Sequence, residues 1–439
     1  MTLNSAARPG GAPRIYYGWI IVGLGFVTLA FQVISRFSFG IFQVPLIQEF
    51  GWSRGLLSGA FSLSLLVYAV TAPYMGSLLE KKGPRAIMPW GCVVVGLSFM
   101  GGYFISSIWH VYLLIGFFGG LGLALNGFAT NTSIMPRWFV RKRGRATGIV
   151  LSGIGFGILA LSPIIERVIS NFGWRAAYFL LGFFILIVIA PASFLLMRDH
   201  PEDLGQARDG LPYPAEENTA GPAENESPET GVDKSVMSVF RTLRGDMRFW
   251  AMMFLYFTIG FNNNTILSQL QLYLVDAHFT MAAAAIIFGM VGFLRTAGSV
   301  IGGWMGDYMG RGRATAVFAV VIAVGLILLL IMPSLGGGLV LAYLFTLIYG
   351  VGIGGMSACG SALNGDIFEG PTFAVIVGFV EICYGMGGVV GPPLAGVMFD
   401  LTGSYVIPFS LIVATLLMSV FFSLWLHRQA AVRKKPAAA

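Results

Sequence analysis

Two stretches of this chain repeat one pattern: Gly76-Ser77-Leu78-Leu79-Glu80-Lys81-Lys82-Gly83-Pro84-Arg85 and Gly303-Trp304-Met305-Gly306-Asp307-Tyr308-Met309-Gly310-Arg311. In both, a glycine stands four residues before an acid, a second glycine three residues after it, and arginine just beyond. The pattern suits a tight turn between two helices. Glycine ends the first helix and lets backbones approach closely, while acid and arginine can pair across the face of the molecule. A motif copied at such a separation predicts a chain built of two similar halves.

The flanks of both copies are apolar. Hydrophobic residues make up 56% of the 439 and charged residues 11%, where a soluble domain has about 45–50% and about 25%. Lipid is therefore the expected solvent. Runs long enough to cross a bilayer fall near 17–45, 55–79, 86–106, 109–135, 146–167 and 174–197, then near 249–275, 281–305, 314–333, 338–364, 371–397 and 405–426. The 59 glycines and 20 prolines suit close-packed membrane helices. The predicted layout is a tail over 1–16, a six-helix half over 17–197, a linker over 198–247, a second half over 248–427 and a tail over 428–439. The linker holds Pro201, Pro212, Pro214, Pro222 and Pro228 among acidic and small residues, so a flexible segment is expected. The first fourteen residues are polar, and the apolar run from Tyr17 is too long for a signal peptide, so no cleaved leader is expected.

Orientation follows from the basic residues. Of the 27 lysines and arginines, 22 lie in the tails, the linker and the loops of one side. The other side carries Arg54, Arg167 and Arg175, and two more, Arg36 and Arg295, sit inside spans. The basic side is expected to be cytoplasmic, with both termini there. The net charge of +7 thus reports topology, and no nucleic-acid partner is expected. Weaker echoes support the duplication. Pro163 and Gly173 are spaced like Pro393 and Gly403, and Phe50-Gly51-Trp52 recurs as Phe172-Gly173-Trp174.

Several chemistries are disfavoured. Cys92, Cys359 and Cys383 lie in apolar segments without metal-type spacing, and the four histidines sit at span ends or in loops. The glycine-rich stretches at 153–157 and 350–355 lie inside apolar helices, and no Walker-type lysine accompanies them. No enzyme, metal or cofactor is predicted.

Both copies of the repeated motif resemble the signature loop of the major facilitator superfamily, with Glu80 where aspartate is usual. The resemblance covers nearly the whole chain and implies an all-α membrane protein of twelve transmembrane helices in two six-helix pseudo-repeated halves. Narrower features are similar to the monocarboxylate transporter family and its oxalate:formate antiporter relatives. They are Gly18-Trp19, the segment Arg137-Trp138-Phe139-Val140-Arg141-Lys142-Arg143, the stretch Gly391-Pro392-Pro393-Leu394-Ala395-Gly396 with Asp400 and Thr402-Gly403, and a single arginine in the eighth helix, Arg295.

Charge inside a membrane is expensive and usually functional. Arg295 is expected near mid-membrane, where its forked donor matches a carboxylate; a structural arginine bonded to carbonyls or an acid is the alternative. Arg36 is a second anion-attracting or gating group, or else an arginine reaching for the interface. The family's animal members place a lysine near this point, and its counterpart here is Phe37. Glu381 is expected midway along the eleventh helix as a proton-coupling acid, because the acid that proton-coupled relatives carry one turn before Arg295 is Val291 here. The oxalate-transporting relatives also carry a lysine in the eleventh helix, which is absent from Ile382 to Gly388; one central cation favours a monoanion. Polar residues Asn262, Asn263, Asn264, Thr265 and Gln269 in the seventh helix, Asn126 and Asn131 in the fourth, and Tyr349, Ser357 and Asn364 in the tenth mark a watery pathway, or else interhelical bonds. Phe31, Phe345, Phe379 and Tyr384 offer an apolar wall for a methyl-bearing acid, or pack the core. Gly76, Glu80, Arg85, Gly303, Asp307 and Arg311 form the conformational signature loops.

The resulting expectation is an alternating-access carrier in the cell membrane for small monocarboxylates such as lactate or pyruvate. It would be driven by protons and act as a monomer. An organic-anion exchanger of the oxalate/formate type and a transporter-like receptor for organic acids are the rivals.

Overall fold

The computed structural model describes residues 16–127, 130–131, 134–140, 142–210, 236–334, 338–368 and 373–433. Among them there are helices and turns but no strands. The first half contains α1 (Gly18–Phe50, its ladder interrupted at Ser38), α2 (Arg54–Lys82), α3 (Pro84–Gly101) and α4 (Ile108–Leu125). One continuous run over 143–196 supplies α5 and α6. Gly173 divides it, with φ +83°, a left-handed value that glycine adopts without a Cβ clash. The second half contains α7 (Met247–Asp276), α8 (Met281–Met309), α9 (Arg311–Ile331), α10 (Leu339–Ile367), α11 (Phe373–Thr402) and α12 (Val406–Arg433).

Ten stretches among the described residues are long and apolar enough to span a bilayer, one of them the fused α5–α6 run. The twelfth helix, α7, is not among the ten. Its length suffices, but Asn262, Asn263, Asn264, Ser268, Gln269 and Gln271 dilute its apolar content. The packing explains how a membrane helix can be so polar. Every residue from Thr258 to Leu274 is buried, so this part of α7 faces protein on all sides and its amides never meet lipid.

The duplication is visible in the turns. Gly83 and Gly310 hold φ +76° and +92° in the two signature loops. Each is roofed by a residue from the end of the sixth helix of its own half. A Cβ on Gly83 would lie 2.6 Å from a carboxylate oxygen of Asp199, and one on Gly310 would lie 2.5 Å from the His427 ring. Arg311 behaves differently from expectation. Arg311 pairs with Asp366 at the end of α10 at 3.0 Å, rather than with Asp307. Arg85 donates its backbone N–H to Asp199 at 2.9 Å. Gly303 lies in the last turns of α8 with open space around it. Gly76 and Glu80 fall outside the residues whose side chains are described.

The linker is less free than its composition suggests. Asp209 accepts from the backbone N–H of Val140 and Lys142, and Gln206 accepts from that of Tyr17. Residues 199–209 thereby strap the basic face of the first half. Val236–Leu243 forms a short helix whose Phe240 packs on Phe249 and Phe379. The stretch 211–235 lies outside the described residues.

The halves meet through α2 with α11, α5 with α8, and the second part of α1 with α7. Glycine permits the approach. A Cβ on Gly292 of α8 would stand 2.6 Å from Ile158 of α5, and one on Gly396 of α11 would stand 2.7 Å from the backbone of Gly55. Hydrogen bonds join the halves at mid-depth and towards the face opposite the basic one (the far face).

Candidate functional site

Arg295 is the central residue of the 29-residue α8, and Arg36 lies two positions beyond the middle of the 33-residue α1. They approach one another from opposite halves, and α7 meets both. Consecutive residues on a helix point about 100° apart, so the run Asn262-Asn263-Asn264 presents three amides to three neighbours. Arg36 Nη2 donates to Asn264 Oδ1 at 2.8 Å. Arg295 Nη1 donates to Asn263 Oδ1 at 3.1 Å. Asn263 Nδ2 in turn donates to the Tyr384 hydroxyl of α11 at 2.7 Å. The Tyr349 hydroxyl of α10 donates to Asn262 Oδ1 at 3.2 Å. Phe345 stacks on Tyr349 with ring centroids 5.2 Å apart and is wholly buried.

The electrostatics are one-sided. Among the described residues, neither Arg36 nor Arg295 has a carboxylate within ion-pair distance. Both guanidinium groups carry the same charge and are tethered to consecutive residues of α7. Arg36 Nε is buried without a partner. A void of about 10 Å³ beside Arg36, walled by Ser35, Phe39, Phe61 and Ser64, has room for a single water. The surroundings thus hold two cations in place with neutral amides and phenols.

The expected site residues divide. Arg295, Arg36, Asn263, Tyr349, Phe345 and Tyr384 come together. Asn126 does not: it ends α4 inside the first half, donating to Cys92 at 3.0 Å and lying beside Asn131. Phe379 does not either. It packs on Phe240 and Phe249 near the basic face, and Phe249 precedes Asn263 by fourteen residues, roughly 21 Å along α7. Glu381 is the ninth of thirty residues in α11, about 10 Å short of mid-helix on the basic side. It is exposed, and no ion pair joins it to Arg295. Val291, one turn before Arg295, is buried and apolar.

Sequence reasoning missed a second cluster at the far face. Arg54, at the start of α2, clasps both oxygens of Asp276 at the end of α7, at 2.5 and 2.9 Å. It also donates to the Tyr405 hydroxyl and lies 3.8 Å from the Phe399 ring centroid. Asp400 accepts the backbone N–H groups of Arg54 and Gly55 at 3.0 and 2.8 Å, capping α2 from the other half. Opposite charges at the far ends of α2 and α7 were the available signal.

A twelve-helix bundle of two halves with two arginines at mid-depth is the architecture of a secondary transporter, and the comparisons agree. The chain belongs to the major facilitator superfamily, whose model matches residues 24–363. Within it, the chain is similar to monocarboxylate transporters. It is 26% identical to monocarboxylate transporter 13 of Bos taurus over 401 residues, covering 90% of this chain and 85% of that protein. It is 25% identical to monocarboxylate transporter 2 of Homo sapiens over 398 residues, covering 89% and 81%. A bacterial homologue of the human lysosomal transporter Spinster superposes with a TM-score of 0.67 at 15% identity, covering 98% of this chain and all of that one, which shows the shared fold. The protein is a multi-pass membrane transporter and not an enzyme.

Proposed function

We propose that the protein carries small monocarboxylates of the lactate or pyruvate kind across the cell membrane by proton-coupled alternating access. The basic face and both termini would be cytoplasmic and the monomer the working unit. The observation that carries this reading is Arg295. It sits at the midpoint of α8, held by one neutral amide and without an acid among the described residues, where a substrate carboxylate supplies the missing charge. Phe345 and Tyr349 give the apolar flank that a methyl-bearing acid needs. The names of the relatives support the substrate class.

Proton coupling rests on Glu381, a carboxyl within α11. Anion exchange is the second reading. It is favoured by the apolar Val291, which leaves Arg295 no acid one turn away.

The test of the main reading is uptake into proteoliposomes. Arg295→Ala should abolish saturable lactate or pyruvate uptake, since loss of a charged, desolvated partner costs roughly 2–5 kcal/mol. Arg295→Lys, which keeps charge but not the fork, should retain little. Normal uptake by a folded Ala variant would make Arg295 structural.

A further inference from the structure

Asn263 sits at the centre of a hydrogen-bond relay that runs through three helices. Arg295 Nη1 of α8 donates to its Oδ1 at 3.1 Å, and its Nδ2 donates to the Tyr384 hydroxyl of α11 at 2.7 Å. The residue is 1% exposed, so bulk water does not compete for the amide. Its orientation is forced. A guanidinium offers only donors, so the amide oxygen must face Arg295 and the amide nitrogen must face Tyr384. The phenol oxygen is then an acceptor, and its own proton points away from the amide. One side chain thus fixes both a prong of Arg295 and the polarity of Tyr384.

The amide brings no charge of its own. Among the described residues, the charged and titratable side chains bonded to Asn262, Asn263 and Asn264 are Arg36 from α1, Arg295 from α8, Tyr349 from α10 and Tyr384 from α11. None is a carboxylic acid. Glu381, three residues before Tyr384, is exposed, and Val291, one turn before Arg295, is buried and apolar. A carboxylate in the place of Asn263 would neutralise Arg295 from about the same 3.1 Å. The amide holds the guanidinium and leaves its charge intact. We propose that Asn263 is the positioning residue for Arg295: it aims the fork at a substrate carboxylate and, being neutral, lets the substrate alone compensate that charge. The anion then binds at Arg295 without a proton entering beside it. The proposal rests on the reading of Arg295 as the carboxylate-binding residue. It separates anion binding from any proton coupling, which other groups must carry.

The test is titration calorimetry of lactate into the purified full-length protein, from roughly pH 5 to roughly pH 8, where lactate stays ionised. Each variant is compared with wild type at the same pH. Asn263→Asp keeps the shape and the bond to Arg295 but adds a charge. At the alkaline end it should bind lactate at least about 30-fold more weakly, because the anion meets a carboxylate on an arginine already neutralised. That aspartate must take up a proton to admit the anion. The loss should therefore shrink as the pH falls, by up to about tenfold per pH unit, and the recovery also shows that the variant is folded. Asn263→Ala frees the fork without adding charge. It should weaken lactate by one smaller factor, the same at every pH. Tyr384→Phe should weaken binding on its own and add little in Asn263→Ala, since both act through one relay. Wild-type affinity in Asn263→Asp at the alkaline end, a loss that does not change with pH, or full additivity of Tyr384→Phe with Asn263→Ala overturns the positioning role. Arg295→Gln tests the underlying reading and should bind no lactate. Normal binding by Arg295→Gln overturns both readings, whereas its loss beside an unaffected Asn263→Asp overturns the positioning role alone.

Discussion

Arg54→Met should unlatch the far face. Arg54 joins α2 of the first half to α7, α11 and α12 of the second through Asp276, Phe399 and Tyr405. Methionine keeps much of the length and the contact with Phe399 but removes the charge. The arginine side chain is 14% exposed and that of Asp276 37%, so the ion pair is partly screened. Hydrogen bonds to charged groups contribute about 1.5–3 kcal/mol and a cation over a ring about 0.5–1 kcal/mol at a partly wet site. Screening trims the sum to roughly 2–3 kcal/mol, present only while the far face is closed. That is about a 30- to 140-fold shift of the two-state equilibrium towards far-side opening. The assay is alkylation by an impermeant maleimide from the far face, in a background with Cys92, Cys359 and Cys383 replaced and Thr265→Cys introduced. Thr265 is buried on α7 in this closed arrangement. The labelling rate should rise by that factor in Arg54→Met. Asp276→Asn should produce much of the same rise and add little in the double variant, because the two residues act as one pair. Unchanged labelling in Arg54→Met, or full additivity with Asp276→Asn, would refute the latch.

Two further outcomes concern coupling and topology. Glu381→Gln should lose accumulation driven by an inward proton gradient while retaining exchange at equal pH. Normal accumulation in that variant would assign the proton elsewhere. Single cysteines at Ser227 in the linker and Ser107 at the start of α4 should be labelled from opposite sides of the membrane, and labelling of both from the outside would reverse the proposed orientation.

Much of this protein is decided locally. A bilayer demands about 20 apolar residues per helix, so the spans are legible without knowing their neighbours. The left-handed turns at Gly83, Gly173, Gly310 and Gly403 are equally local, since only glycine takes those angles without strain. Arg295 was legible because a charge at the centre of an apolar run costs too much to be incidental. The division between α5 and α6 was readable too, as two apolar runs with Gly173 between them. Hydropathy was weakest at α7, whose amides look wrong for a membrane until the helix is seen enclosed by the bundle.

What faces what is a different matter. Asn126 and Asn263 are both amides inside apolar helices, yet one packs on Cys92 within the first half and the other reaches Arg295 and Tyr384. Phe345 and Phe379 look alike along the chain, yet only the first stacks beside the arginines. The partner of Arg36 lies 228 positions away and the carboxylate clasped by Arg54 lies 222 away. No pattern within a helix carries such a pairing, because a helix offers a side chain every 100° and the other half of the molecule decides which of them is met. The sequence by itself determined twelve spans, their duplication and one central cation. The bond from Arg36 to Asn264 and the latch at the far face exist only because two separately encoded halves close against each other around α7.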